Sequence, residues 1–216
     1  VPAPEPFADL AQTWLTGFGR SRQVAVRRAG PVTEVEVGGT ERRLELVLVE
    51  PDDALVATTL TRVRSSDDVW CTVLTAAPRR RALPAGIVEQ LTDEQLMTVG
   101  LEGRTPDAPA VGRVELDDDG LRALVRVVDG DRTAAEGQVA LVGTDAVLDR
   151  IRTADAYRRR GLGTVVMHAL EAWAVDRGAT RGLLAASVEG QALYARLGWG
   201  PAGSMLTLAA ARPSDA

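Results

Sequence analysis

Between Val111 and Thr153 the chain keeps a regular beat that few folds can accommodate. Four strand-like runs, Val111–Leu116, Leu121–Val128, Thr133–Val142 and Val147–Thr153, are separated by Asp117-Asp118-Asp119-Gly120, Asp129-Gly130-Asp131 and Gly143-Thr144-Asp145. These connections are short enough for hairpins, so the pattern predicts an antiparallel meander. After it, Leu162, Val165, Val166, Ala169, Leu170, Trp173 and Ala174 recur at helical spacing on one face of a helix that stops near Gly178. A buried strand at Arg181–Ala186 follows, then a short helix from about Glu189 to Leu197, a break at Gly198-Trp199-Gly200-Pro201, and a last strand near Ser204–Leu208. The order is sheet, helix, strand, helix, strand.

The first hundred residues read as a separate α/β section. Phe7, Leu10, Ala11, Trp14, Leu15 and Phe18 form an amphipathic stripe ending near Gly19. Gln23–Arg28, Val32–Val37 and Leu44–Val49 are β-rich and punctuated by Gly30-Pro31 and Gly38-Gly39. Pro51-Asp52-Asp53 starts a helix running to about Val63, and Val69–Thr75 is another strand. Arg79-Arg80-Arg81 before Leu83-Pro84, and Gly103 to Pro109, read as connections, which puts a boundary near residue 100 and sections at 1–100 and 101–216. No fixed-period repeat is present, so repeat architectures are excluded.

Composition removes several chemistries. All 25 basic residues are Arg, and without Lys there is no Schiff base, no lysine general base and no Walker-type phosphate loop. A formal charge of -5 leaves no global basic field for nucleic acid or anionic lipid. One Cys, Cys71, and one His, His168, cannot make an internal disulfide or a Cys/His zinc site, so no metal is expected and a reducing cytoplasm fits. No apolar run approaches the roughly 18 residues of a membrane span, and the Pro-rich opening Val1–Pro6 reads as a loose tail and not as a signal peptide.

The chemistry concentrates where the meander gives way to the helix, at Tyr157-Arg158-Arg159-Arg160-Gly161-Leu162-Gly163-Thr164. Glycine lets backbone approach a ligand, the first-turn N–H groups of a helix lack intrahelical partners, and arginines bind phosphate in bidentate fashion. The stretch is therefore a candidate pyrophosphate cradle, or else a solvated basic turn. A dinucleotide fold is excluded, because Gly-x-Gly-x-x-Gly is absent and the upstream sheet is antiparallel where that fold needs a parallel βαβ unit.

Arg158-x-x-Gly161-x-Gly163 resembles the Arg/Gln-x-x-Gly-x-Gly/Ala signature of the GNAT superfamily of N-acetyltransferases. Leu193-Tyr194-Ala195-Arg196-Leu197-Gly198-Trp199 is similar to that superfamily's Leu-Tyr-x-x-x-Gly-Phe/Trp segment, at the expected distance. The resemblance covers residues ~111 to 210. It implies a mixed α/β (α+β), mainly antiparallel sheet flanked by helices, with the N-terminal section an α/β extension or a degenerate half-domain.

The resemblance further implies an acyltransferase that passes the acetyl group of acetyl-CoA, a cosubstrate, directly to a small-molecule or peptide amine. The pyrophosphate would lie on the backbone N–H groups between Arg159 and Thr164, that is Arg159, Arg160, Gly161, Leu162, Gly163 and Thr164, with Arg158 also at the cofactor. The pantetheine arm would pair with Ile151, Arg152 and Thr153, where a main-chain N–H can hold the oxyanion. Tyr194 aligns with the phenol that protonates the leaving thiolate; reference values of about 10 and about 8.5 make that transfer only mildly uphill. Asp149 and Glu136 are the carboxylates available as a base, although a surface charge is the better reading for either. Ser187 replaces the family's frequent Asn beside pantetheine. His168 falls opposite the apolar stripe and is expected in solvent, and Cys71 as a small buried hydrophobe. Arg79 to Arg81 could touch the ribose phosphate or stay solvated. The competing function is a non-catalytic acyl-CoA-binding or interaction module; pairing of sheets into a homodimer is left open.

Overall fold

The hairpin beat folds as its turns require. In the computed structural model, which describes residues 6–78, 82–103 and 105–212 and the backbone of Thr92, the chain begins with α1 (Phe7–Arg22). This helix runs three residues past Gly19 and stops where Gln23 turns left-handed at φ 56°. Gly19 does not end it, because its missing Cβ makes room for the side chain of Val26, and Gly17 likewise lets α1 descend onto Val147. Strands β1 (Val26–Ala29), β2 (Val32–Glu36) and β3 (Leu44–Val49) follow. Next are α2 (Asp53–Arg64), capped by Asp52 accepting from the Leu55 N–H at 2.8 Å, and β4 (Val69–Thr75).

A long strand, β5 (Ile87–Gly100), then appears where the sequence offered no strand pattern. Glu89, Asp93 and Glu94 break its apolar alternation, but it lies between two antiparallel neighbours, and pairing on both sides overrides weak local preference. The meander is β6 (Arg113–Asp118), β7 (Arg122–Asp129), β8 (Arg132–Val142) and β9 (Asp145–Thr153). A 3-10 turn at Asp155–Tyr157 leads to α3 (Leu162–Val175), β10 (Arg181–Ala186), α4 (Val188–Arg196) and β11 (Gly200–Ala210).

Among the described residues the strands join one eleven-stranded sheet in the order β1-β2-β3-β4-β11-β5-β10-β9-β8-β7-β6. Two neighbouring pairs are parallel, β3 with β4 and β9 with β10, each bridged by a helix crossover; the rest are antiparallel. Strand alternation separates the helices onto two faces. Trp14, Leu15 and Phe18 of α1 pack with Val47, Leu74, Val147 and Leu183. The intervening residues face the other way, Leu46 and Leu48 toward α2 and Leu148 and Leu184 toward α3. A mixed, mainly antiparallel sheet flanked by helices is thus the observed fold class, as the resemblance implied.

Candidate active site

The parallel strands β9 and β10 are joined only at their beginnings. Arg181 donates to both carboxylate oxygens of Asp145, at 2.6 and 2.9 Å, and three residue pairs follow, ending at Leu183 with Val147. Beyond that point β9 bulges. Glu136 faces Arg152 and Gln138 faces Asp149, so Arg150 and Ile151 together oppose Gly137, with Arg150 at φ 53°. A bulge leaves a main-chain residue out of the ladder and bends the strand. No side chain fits at Gly137, where a Cβ would lie 2.7 Å from Val166 beneath α3. The two strands part, and a cleft of about 900 Å³ opens between them.

Ile151, Arg152 and Thr153 form one wall of this cleft. The connecting loop adds Arg158, Arg159 and Gly161, and the first turn of α3 adds Leu162, Gly163 and Thr164. Ser187 and Tyr194 close it from α4. Of the residues expected around the cofactor, only Arg160 is absent from these walls; its guanidinium lies over the Tyr157 ring at 5.4 Å. The walls also hold Glu189, Gly190, Leu193 and Arg196, which the sequence did not single out as ligands. An arginine on a short helix carries no periodicity signal that separates a wall residue from a solvated one.

The entrance to α3 differs from those of α2 and α4, and from that of α1, which has no side-chain cap either but carries Asp9 in its first turn. Asp52 caps α2, and the Ser187 Oγ caps α4 by accepting from the Gly190 N–H at 3.3 Å. At α3 the N-cap is Gly161, no side chain accepts from the first turn, and that turn has no acidic residue. Its orphan N–H groups therefore keep both their hydrogen-bonding capacity and the positive end of the helix dipole for an anion. Gly161 is required by its backbone, at φ 75°, and a Cβ there would point into open space. Gly163 lines the cleft and also sets a packing distance: a Cβ would sit 3.2 Å from Leu193 Cδ2, so this glycine lets α4 close onto α3.

The Leu-Tyr…Gly-Trp segment is equally explicable by packing. Trp199 lies over Gly182 of β10, where a Cβ would come within 2.6 Å of its ring, and its indole N–H donates to buried Glu171 at 3.2 Å. The Tyr194 ring rests on Gly190 and packs at 6.3 Å from the Trp199 ring. Burial, and then the negative charge of Asp149, push the Tyr194 phenol up to about 12. It remains protonated at physiological pH, but gives its proton up less readily than the reference value of about 10 suggested.

Asp149 is not on the surface. Its carboxylate receives Arg22 Nε and Nη2 at 2.5 and 2.8 Å and Gln138 at 3.2 Å, and its side chain is only 13% exposed. Burial alone would raise its pKa, but the Arg22 hydrogen bonds and charge outweigh this and hold it below the usual carboxylate range. Glu136 is engaged by Arg152 at 2.7 Å. His168 is half-buried, not in solvent, with Nδ1 3.0 Å from Asp107. Cys71 is fully buried, and burial with the charge of Glu45 pushes its thiol up to about 12, as a small inert hydrophobe requires. The Arg79–Arg81 triplet lies outside the described residues. Among the described residues no cluster of His, Cys, Asp and Glu is arranged to hold a metal ion, and no helix is long and apolar enough to cross a membrane.

A mixed sheet whose parallel strands splay over an uncapped helix start is the arrangement of an acyltransferase. The profile of the acetyltransferase (GNAT) family matches residues 89–199, just over half of the chain, and the protein belongs to that family. Similar solved structures extend the fold over the N-terminal hundred. A GCN5-related N-acetyltransferase from Kribbella flavida shares 18% identity over 97% of each chain, with a TM-score of 0.67. A protein assigned to the GNAT family from Novosphingobium aromaticivorans shares 15% over 96% of this chain and 100% of its own, with a TM-score of 0.63. A tandem GNAT protein of the clavulanic acid biosynthesis pathway shares 15% over 89% and 85%, with a TM-score of 0.57. None of the curated proteins matches the sequence.

Proposed function

We propose that the protein transfers the acetyl group of acetyl-CoA directly to an amine. The observation that carries this reading is the start of α3, which opens on the cleft with its N–H groups claimed by no side chain and with Arg158 and Arg159 beside them. Leu162, Gly163 and Thr164 would bind the pyrophosphate through main-chain N–H groups, and Arg160 would add long-range charge from its place over Tyr157. Acetyl-CoA, when bound, supplies the activated thioester carbonyl. Ile151 to Thr153 would pair with the pantetheine arm as an extra strand edge, and the bulge before them frees the main-chain donor needed for an oxyanion.

Tyr194 would donate the proton that the departing sulfur requires. Its raised pKa is no obstacle, since the same dry surroundings raise the proton affinity of a thiolate. Asp149 serves electrostatically: paired with Arg22 it stays ionised, and its charge keeps the phenol protonated. Ser187 contributes the α4 cap and a polar spot on the wall, which leaves its hydroxyl little freedom to contact pantetheine. The N-terminal hundred we read as a degenerate half of the same fold. A buried, free Cys71 suits a reducing compartment such as the cytoplasm.

Calorimetric titration with acetyl-CoA tests the reading, followed by thiol release with a panel of primary amines. Saturable binding with amine-dependent release is expected. Binding without release from any amine would favour the non-catalytic acyl-CoA module, and no binding by the folded chain would overturn both.

A further inference from the structure

The sheet face that carries α1 holds a row of charged groups at the same edge as the cleft, and one of them is unmatched. Asp149 is held by Arg22, and Glu45 by Arg42 at 2.6 Å and by the Thr72 hydroxyl. Half-buried Glu94 makes no hydrogen bond or ion pair with any described residue. Its position follows from the ladders. Glu94 stands opposite Met205, which packs in the α1 cluster, as does Leu96 two residues on, so Glu94 shares that face. The β5–β10 ladder ends at Gln95 with Ala186, which puts Glu94 one step past the end of β10, where α4 begins. Gln191 fastens this corner by donating to the Asp93 carbonyl at 2.6 Å. Glu94 and Asp149 therefore share the α1 face of the sheet at the level where β9 and β10 have parted, with Tyr194 on the α3 side of the same gap.

We propose that Glu94 is the acceptor-side base, receiving a primary amine as its ammonium on the α1 face of the gap and removing a proton before the nitrogen attacks. The inference rests on the acetyltransferase reading above and names what that reading lacks, a base and a charge class for the acceptor. Arg22 and Arg42 are already matched by Asp149 and Glu45, so a cation is what completes the set. Burial and the charge of Glu45 raise the pKa of Glu94, while Arg42 and Arg22 oppose the shift without cancelling it. A carboxylate tuned toward neutrality is the better base.

The step balances. One ammonium proton passes to the Glu94 carboxylate and then to solvent; the freed lone pair forms the C–N bond to the thioester carbonyl. The C–S bond breaks, the thiolate takes the Tyr194 proton, and the second nitrogen proton restores the phenol. The sum is amide, free thiol and one proton released.

The test uses benzylamine as probe, with Glu94→Gln, Glu94→Asp and the exposed control Glu89→Gln in the full chain. Glu94→Gln should bind acetyl-CoA like the parent while kcat/KM for benzylamine at pH 7 falls about 100-fold, within the usual range for a general base. The parent profile should rise and level once Glu94 is ionised; the Gln variant should climb with unit slope to the pKa of the amine itself. Glu94→Asp should recover part of the rate, and Glu89→Gln should change nothing. An unaltered rate and profile in Glu94→Gln would overturn the proposal. So would a parent that binds acetyl-CoA yet acetylates neither benzylamine nor butylamine. A folded parent that binds no acetyl-CoA is a separate result, which removes the acetyltransferase reading and this inference with it.

Discussion

Two substitutions at Gly161 separate the backbone role of that residue from the anion site it helps to form. The residue sits at φ 75°, and an L side chain in the left-handed region costs about 1–2 kcal/mol. In a chain of this length about 1 kcal/mol moves Tm by roughly 2–4 °C, so Gly161→Ala and Gly161→Glu should each lower Tm by about 2–8 °C. Nothing lies within 4 Å of the added Cβ, so no packing clash enters either variant. The carboxylate adds a unit negative charge facing the cleft. Against one pyrophosphate charge about 6 Å away, at an effective dielectric of about 20, the repulsion is about 3 kcal/mol before salt screening. With about 2–3 kcal/mol retained, Kd for acetyl-CoA should be roughly 30- to 150-fold weaker in the Glu variant than in the Ala variant. Calorimetry at two ionic strengths measures it, and the gap should narrow at high salt. Equal Kd values for the two variants, or a gap indifferent to salt, would refute a phosphate site at the start of α3.

Tyr194→Phe should lower kcat about 100-fold while leaving acetyl-CoA affinity within a few-fold, measured by steady-state thiol release and calorimetry; an unchanged rate at every pH would remove the acid assignment. Asp149→Asn strands Arg22, whose side chain is only 19% exposed, and should cost about 2–3 kcal/mol in urea unfolding, discounted from the fully buried case. Because the folded pKa of Asp149 is depressed, its stabilisation is present above the unfolded carboxylate value and fades as pH falls through the folded one, so the parent should lose more stability than Asp149→Asn between pH 5 and pH 3. Cys71, buried with its thiol at about 12, should not react with a disulfide reagent until the protein is denatured, which also leaves thiol-release assays free of background. A fragment of residues 101–216 lacks β5 and exposes the facing edges of β10 and β11, so it should show no cooperative thermal transition by circular dichroism.

Elements whose residues carry a local signal were legible in the sequence. The hairpin turns located β6 to β9, and Arg181–Ala186 and Val69–Thr75 were bounded to the residue, because apolar runs between breakers define them. The cleft loop was legible through Gly161, whose positive φ only glycine adopts without strain. What escaped was set by distant partners. Strand β5 is held by β10 and β11 across the chain, and its acidic residues hid it and, with it, Glu94. Asp149 looked like a surface charge because its partner, Arg22, lies 127 positions away on a helix whose end was expected before it. The packing of Leu193 against Gly163 escaped as well, because spacing alone does not reveal what lies against a glycine.

Among the described residues the two parallel strand pairs differ in how far they stay joined. Strands β3 and β4 stay paired over six residues, Leu44 with Val69 through Val49 with Leu74, and no bulge parts them; β9 and β10 separate after three. A cleft between parallel strands needs that separation, since closed backbone pairing leaves no room for a pantetheine arm. The helix starts differ in the same sense. Asp52 occupies an orphan N–H of α2 with its own carboxylate and Asp53 adds a second negative charge, so a phosphate approaching there would meet repulsion and a filled donor. At α3 both obstacles are absent, and Gly161 with Arg158 and Arg159 stands in their place. Either difference alone would weaken binding in the N-terminal section. Together they remove the space for the arm and the charge for the phosphate at α2, which leaves that section to supply β5, and with it Glu94, beside the gap between β9 and β10.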